Sequence, residues 1–385
     1  MSVTPGIAVL LAQGFNRLHG LKVGLVTNAT GILPDGTSTV DALAKADGVK
    51  LVALFAPEHG VRGDVPAGKY VATYTDKRTG LPVYSLYGKT KSPTAAMLKG
   101  IDVLLFDIQD IGCRSYTYLS TLGAVISGAA KHGIPIIVCD RPNPVGGLRV
   151  EGRTVSPGYV TFISRYPLAY RHGMTLGECA RWLVGRGHVG KADVSVVPCA
   201  NLTRDMAGWD AFGGLPWVPT SPNIPTTEAA VLYAATGIIG ELPAVSIGIG
   251  TNAPFGYCGT PSVNADKLAD TLSGYGLAGV AFEPATWTPR KGSFAGKSCR
   301  GVRVRVTDLR VAEVCRVNFA LLCALRTAAP TVKPFASVGL FDAACGTNAV
   351  RKAFLADASE PDVWGTFNAG ADAFAAGRKP YLLYP

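Results

Sequence analysis

The chain lacks any apolar run near the roughly 20 residues that a membrane helix needs. Its first residues, Met1 to Leu10, also lack the basic start and small-residue cleavage pattern of a secretory leader. A cytoplasmic protein with no membrane partner is therefore expected. The nine cysteines, at positions 113, 139, 179, 199, 258, 299, 315, 323 and 345, form no Cys-x-x-Cys pair, and several lie in apolar strand-like or helical runs. Reduced core thiols are expected rather than a disulfide framework. Histidine is scarce, with five in the chain, and only His59, beside Glu58 and Asp64, stands near other ligand types. A histidine-rich metal site is not expected. Nucleotide and hydrolase signatures are missing too: no GxGxxG follows the first strand-like run, and there is no GxxxxGK[ST], GxSxG or HExxH. Gly248-Ile249-Gly250 is too short and too late in the chain to replace the first of these. No cofactor is expected.

What is present is a large apolar budget. With 385 residues and 48% hydrophobic content, the chain can bury a sizeable core, and cores of that size usually divide in two. Its 46 Gly and 26 Pro are dispersed, which indicates many tight loops rather than a low-complexity tract. The net charge of +10 is also dispersed, so it marks no nucleic-acid surface.

Short runs rich in Val, Ile and Leu alternate with helix-like stretches through the first 200 residues, the pattern of βα units around a buried parallel sheet. The strand-like runs are Leu21 to Thr27, Lys50 to Phe55, Ile101 to Phe106 and Ile134 to Cys139, with helices expected over Ser38 to Ala46 and Tyr118 to His132. Leu215 to Thr227 carries four prolines and reads as an interdomain strap. The boundary is placed just after it, giving an α/β parallel-sheet domain over 1–228 and a smaller α/β or α+β domain over 229–385. In the second, strands are expected at Ala244 to Ile249 and Val302 to Thr307, and helices near Ala265 to Leu272 and Val311 to Ala328.

Polar residues crowd after each of the four strands: Asn28; Glu58 and His59; Asp107, Gln109 and Asp110; Asp140, Arg141 and Asn143. Ligands of open parallel sheets bind beyond the carboxyl ends of the strands, so these residues are expected to share one site. Pro57 ends strand pairing and Gly60 permits a sharp turn, which presents Glu58 and His59 at the sheet edge. A carboxylate shielded there suits a general acid; the alternatives are a loop salt bridge, for instance to Arg62, or a helix cap. The stretch from Asp107 to Tyr118 gathers Asp107, Asp110, Gln109, Arg114, Tyr116 and Tyr118, a density that suits sugar hydroxyls; an internal Asp107–Arg114 pair with core tyrosines is the other reading. In Asp140-Arg141-Pro142-Asn143-Pro144 the prolines stiffen the backbone. Arg141 can then grip a substrate carboxylate bidentately or bridge internally to Asp140 or Asp107. Trp217 and Trp287 are either sugar platforms or core.

Together these segments resemble the NamZ-type exo-β-N-acetylmuramidases, glycoside hydrolase family 171. The resemblance rests on GLVTNATG at 24–31, APEHGVRGD at 56–64, TGLPVYSLYG at 79–88, FDIQDIGCRSYTY at 106–118, DRPNPVGG at 140–147 and SPNIPT at 221–226. It implies a Rossmann-like first domain without a nucleotide, an auxiliary second domain closing a cleft, and release of terminal non-reducing N-acetylmuramic acid from muropeptides or amino-sugar disaccharides. It further implies that Glu58 is the key catalytic carboxylate. A second acid would come from Asp107, Asp110, Asp140 or Glu151. Asn28, His59, Gln109, Arg114, Tyr116, Asp140, Arg141, Asn143, Ser221 and Asn223 would hold the sugar. The second domain departs from the pattern: where segments like EGTN and GRGT are expected, the chain has Gly240-Glu241-Leu242-Pro243 and Gly248-Ile249-Gly250-Thr251, with isoleucine for an arginine.

Overall fold

The computed structural model describes residues 2–58, 60–62 and 73–385, so His59 and Asp64 lie outside the described residues. Seven described strands form the main sheet: β1 (Lys22–Thr27), β2 (Lys50–Ala56), β3 (Tyr74–Thr75), β4 (Pro82–Ser85), β5 (Val103–Asp107), β6 (Ile136–Cys139) and β7 (Val194–Val197). Their order is β3-β4-β2-β1-β5-β6-β7, parallel throughout except for the antiparallel β3–β4 pair at one edge. The four strands expected from the sequence are present within two residues at each end. The short β3, β4 and β7 carry too few apolar residues to stand out.

The continuous apolar runs are explained by cover on both faces. Along β1 and β5 alternate residues point to opposite sides. Val26, Leu104 and Phe106 pack with Phe55 against Leu119, Leu122 and Val125 of the helix Thr117–Ala130. Leu25, Leu54 and Leu105 pack against Ile7, Leu10, Val40 and Leu43 on the other side. β1 and β5 lie side by side at the centre, and the chain runs outward from them in opposite directions. That reversal opens a crevice beyond their carboxyl ends, where ligands of such sheets bind.

A smaller antiparallel sheet follows, in the order β8 (Tyr257–Thr260), β10 (Cys299–Val306), β9 (Val280–Trp287). It packs with the helices Thr227–Thr236, Ala265–Gly274 and Arg316–Ala328 in a second core that also takes in Ile111, Cys113, Val145 and Tyr170 from the first part of the chain. Both expected helices form, the latter starting five residues later than the pattern suggested. The strand expected at Ala244 to Ile249 does not form: Ser246 bridges Gly259 alone, and Gly248, at φ 76°, turns the backbone away. The chain ends by returning to the first sheet. Arg378 donates to the carbonyls of Gly147, His172 and Gly173, and Tyr384 reaches Asp140. All nine cysteines are buried free thiols. No described helix is long and apolar enough to cross a membrane.

Candidate active site

Glu58 stands just past β2, in a turn closed by the Gly60 amide on the Pro57 carbonyl, with Gly60 at φ 77°. The left-handed turn is one glycine adopts at no steric cost. The Glu58 carboxylate accepts a hydrogen bond of 2.9 Å from Thr117 Oγ1. Thr117 is the first residue of the helix Thr117–Ala130, whose positive end favours a carboxylate. Arg62, the alternative partner considered from sequence, is committed to Asp41 at 3.3 Å and Asp76 at 2.9 Å.

Three tyrosines lie near enough to this carboxylate to feel its charge. The Tyr87 hydroxyl faces Glu58; burial first, and the Glu58 charge second, push its phenol up to about 12. Tyr116 and Tyr118 meet edge to face, with centroids 5.0 Å apart, and burial raises both phenols. They pin the proline-rich strap over the strand ends: Tyr116 donates to Thr220 Oγ1 at 2.9 Å and Tyr118 to the Thr220 carbonyl at 2.6 Å. Ser221 lies beside the Tyr116 hydroxyl and the Asn28 amide beside that of Tyr118. Asn28 Oδ1 also accepts from the amide and hydroxyl of Thr30, which fixes its orientation. Asn223 follows on the same strap, half-buried. Tyr233, from the helix Thr227–Thr236, packs on Tyr116 at 5.9 Å and shares a hydrogen bond with Ser115. Glu58, Asn28, Tyr116 and Ser221 are thus brought together.

The remaining expected residues have internal partners. Arg141 forms a two-pronged bridge to Asp107, Nε to Oδ1 at 2.6 Å and Nη2 to Oδ2 at 2.9 Å, while Thr39 donates to the same carboxylate. This internal bridge closes the fork that was to hold a substrate carboxylate. Asp140 is wholly buried and accepts from the Arg141 and Gly177 amides and from the Thr175 and Tyr384 hydroxyls; burial raises it to about 6. Asn143 spans the Val145 amide and the Met174 carbonyl. Arg114 is buried at 1% exposure and donates to the carbonyls of Arg153, Leu168 and Ala344, fastening the two parts of the chain rather than lining a cleft. Glu151 pairs with Arg171 and accepts from the Cys315 amide at 2.7 Å, a buried link to the start of the helix Arg316–Ala328. The Gln109 amide donates to the carbonyls of Asp110 and Pro142. Gln109 also lines a shallow cleft with Thr30, Arg141 and Trp217. Trp217 and Trp287 each donate internally, to the Ile224 carbonyl and to Ser246, and serve packing.

Asp110 differs from these acids. Its Oδ2 accepts from the Gly112 amide at 2.8 Å, but its buried Oδ1 has no hydrogen-bond partner among the described residues. Burial, only partly offset by the Gly112 and Ile111 amides, raises this carboxyl to about 7. Like Glu58, it acts electrostatically on Tyr116, which places both acids near that ring.

The sequence pattern missed Tyr87, Lys91 and Thr117 around Glu58. Tyr87 follows a four-residue strand too short to recognise, and Thr117 is marked only by its place at a helix start. No cluster of three metal-ligating side chains occurs among the described residues.

Comparison with known proteins identifies the family. The N-terminal model of the exo-beta-N-acetylmuramidase NamZ matches residues 23–228, and its C-terminal model matches residues 231–384. The peptidoglycan beta-N-acetylmuramidase NamZ of Bacillus subtilis is 40% identical over 382 residues, covering 99% of this chain and 91% of that one. A crystal structure of a DUF1343 family protein from Bacteroides fragilis superposes with a TM-score of 0.93 at 40% identity, covering 100% of this chain and 99% of that one. A second DUF1343 protein from the same organism gives 0.77 at 27% identity, with the same coverage. The chain belongs to the NamZ exo-beta-N-acetylmuramidase family.

Proposed function

We propose that this protein is a glycoside hydrolase that releases terminal non-reducing N-acetylmuramic acid from peptidoglycan fragments. The observation that carries the reading is Glu58: a carboxylate at the crevice of a parallel sheet, held by a helix-terminal hydroxyl and faced by the Tyr87 phenol. Glu58 protonates the glycosidic oxygen as the bond to the anomeric carbon breaks, the alcohol departs, and water supplies the hydroxyl of the released sugar. Asp110 is the second acid, since Asp107, Asp140 and Glu151 are occupied by internal bonds while one Asp110 oxygen has no hydrogen-bond partner among the described residues. Asn28, Tyr116, Ser221 and Asn223 contact the sugar, His59 adjoins Glu58 in sequence, and the other polar strand-end residues are scaffold. The chain divides at residue 228 in this reading, with 229–385 contributing Tyr233, which packs on Tyr116 beneath the strap. Nine unpaired thiols favour a cytoplasmic setting and soluble muropeptides or disaccharides as substrates.

The test is p-nitrophenol release from β-MurNAc and β-GlcNAc aryl glycosides across pH 5 to 8. Wild type should cleave the MurNAc glycoside, and Glu58→Gln, shown to be folded, should lose about 10²-fold or more of kcat. Cleavage of the GlcNAc glycoside alone would replace the substrate, and an active Glu58→Gln would remove Glu58 from its role.

A further inference from the structure

N-acetylmuramic acid carries a lactyl carboxylate, ionised at neutral pH. An active site whose working group is itself a carboxylate repels such a sugar unless a cation lies close by. Most described arginines near the strand ends are already committed: Arg62 to Asp41 and Asp76, Arg141 to Asp107, and Arg114 to main-chain carbonyls.

Lys91 has no such commitment among the described residues. Its ammonium lies 3.5 Å from the centroid of the Tyr87 ring and 4.8 Å from that of Phe162, two rings whose centroids are 6.3 Å apart. It makes no ion pair with any described carboxylate, yet it is close enough to Glu58 to feel its charge. Aromatic faces stabilise an ammonium while leaving its N–H donors available, unlike a salt bridge. Tyr87, which carries this ammonium on its face, also directs its hydroxyl to Glu58, so one ring links the cation to the acid.

Resting on the proposed activity, we infer that Lys91, cradled by Tyr87 and Phe162, binds the lactyl carboxylate of the terminal sugar and so selects muramic acid over its uncharged counterparts. No carboxylate among the described residues pairs with the ammonium at bonding distance, which leaves it open to the substrate's. Lys91 is thus a specificity-determining residue. Its contribution depends on the substrate's charge rather than on the bond cleaved.

The test compares p-nitrophenyl β-MurNAc with its lactyl methyl ester, which keeps the shape of the acid and removes its charge. Wild type should favour the free acid by roughly tenfold or more in kcat/KM, as expected for a partly desolvated charge pair. In Lys91→Met this acid-to-ester ratio should fall toward one, mainly through KM, and Lys91→Arg should restore a preference for the acid. Calorimetric binding of MurNAc and its methyl ester to wild type and Lys91→Gln gives the same ratio without turnover. An unchanged ratio in Lys91→Met, or equal loss on both substrates with a shifted pH profile, would overturn the inference while leaving the proposed activity standing. Wild type inactive on acid and ester alike would overturn both.

Discussion

Replacing Asp107 by Asn separates a structural from a substrate-binding role for Arg141. Asp107 is fully buried and Arg141 is 7% exposed, so the bridge between them is out of reach of solvent screening. The substitution leaves a guanidinium with no counter-charge in the packed interior and turns an amide N–H toward it. Losing one partner of a buried pair costs about 3–5 kcal/mol, because the remaining charge stays desolvated. For a cooperative unit of about 200 residues this corresponds to a fall in melting temperature of roughly 6–20 °C. The assay is thermal unfolding followed by circular dichroism, with kcat and KM measured well below the transition. KM for the charged sugar should change little in the folded fraction. The double variant Asp107→Leu with Arg141→Met should be less destabilised than Asp107→Asn, since it removes the orphaned charge as well. It should not reach wild type, because Thr39 and the Ile32 carbonyl each lose a partner. A melting temperature within about 1 °C of wild type, together with a large rise in KM for the charged sugar, would refute the structural reading of Arg141.

Two further outcomes are expected. Asp110 titrates near 7 in the native protein, against an unfolded value of 3.8. Between these values the unfolded chain gives up a proton that the native one keeps, so this carboxyl costs stability as pH rises from about 4 to 7. Asp110→Asn should therefore gain melting temperature relative to wild type over that window and level off above it; a difference independent of pH would refute the assignment. Burial also makes the nine thiols inert, each held above its ordinary range where a shift is resolved. A disulfide-exchange reagent should find almost none reactive in the native protein and all nine after denaturation without reductant; fewer than nine would reveal a disulfide.

The strands β1, β2, β5 and β6 could be read from sequence because a strand covered on both faces must be apolar at every position, a local property. So could the placing of Glu58 at a strand end, since Pro57 and Gly60 dictate the turn within four residues. The resemblance then joined these local signals to a family. Partner choice was not legible. Arg141 had Asp140 beside it and Asp107 34 positions away, and it is the distant carboxylate that lies alongside its fork, because β5 and β6 are neighbours in the sheet. Asp140 in turn is satisfied by Tyr384, 244 positions later, through a chain end that returns from the second core. Nothing in the local sequence singled out Lys91, which the fold sets over Tyr87 and Phe162. Periodicity and turn chemistry act between near neighbours, and the sequence by itself determined what depends on them. Hydrogen bonds and ion pairs are made between whichever groups the packed sheet brings within about 3 Å of one another, and only the tertiary structure decided those.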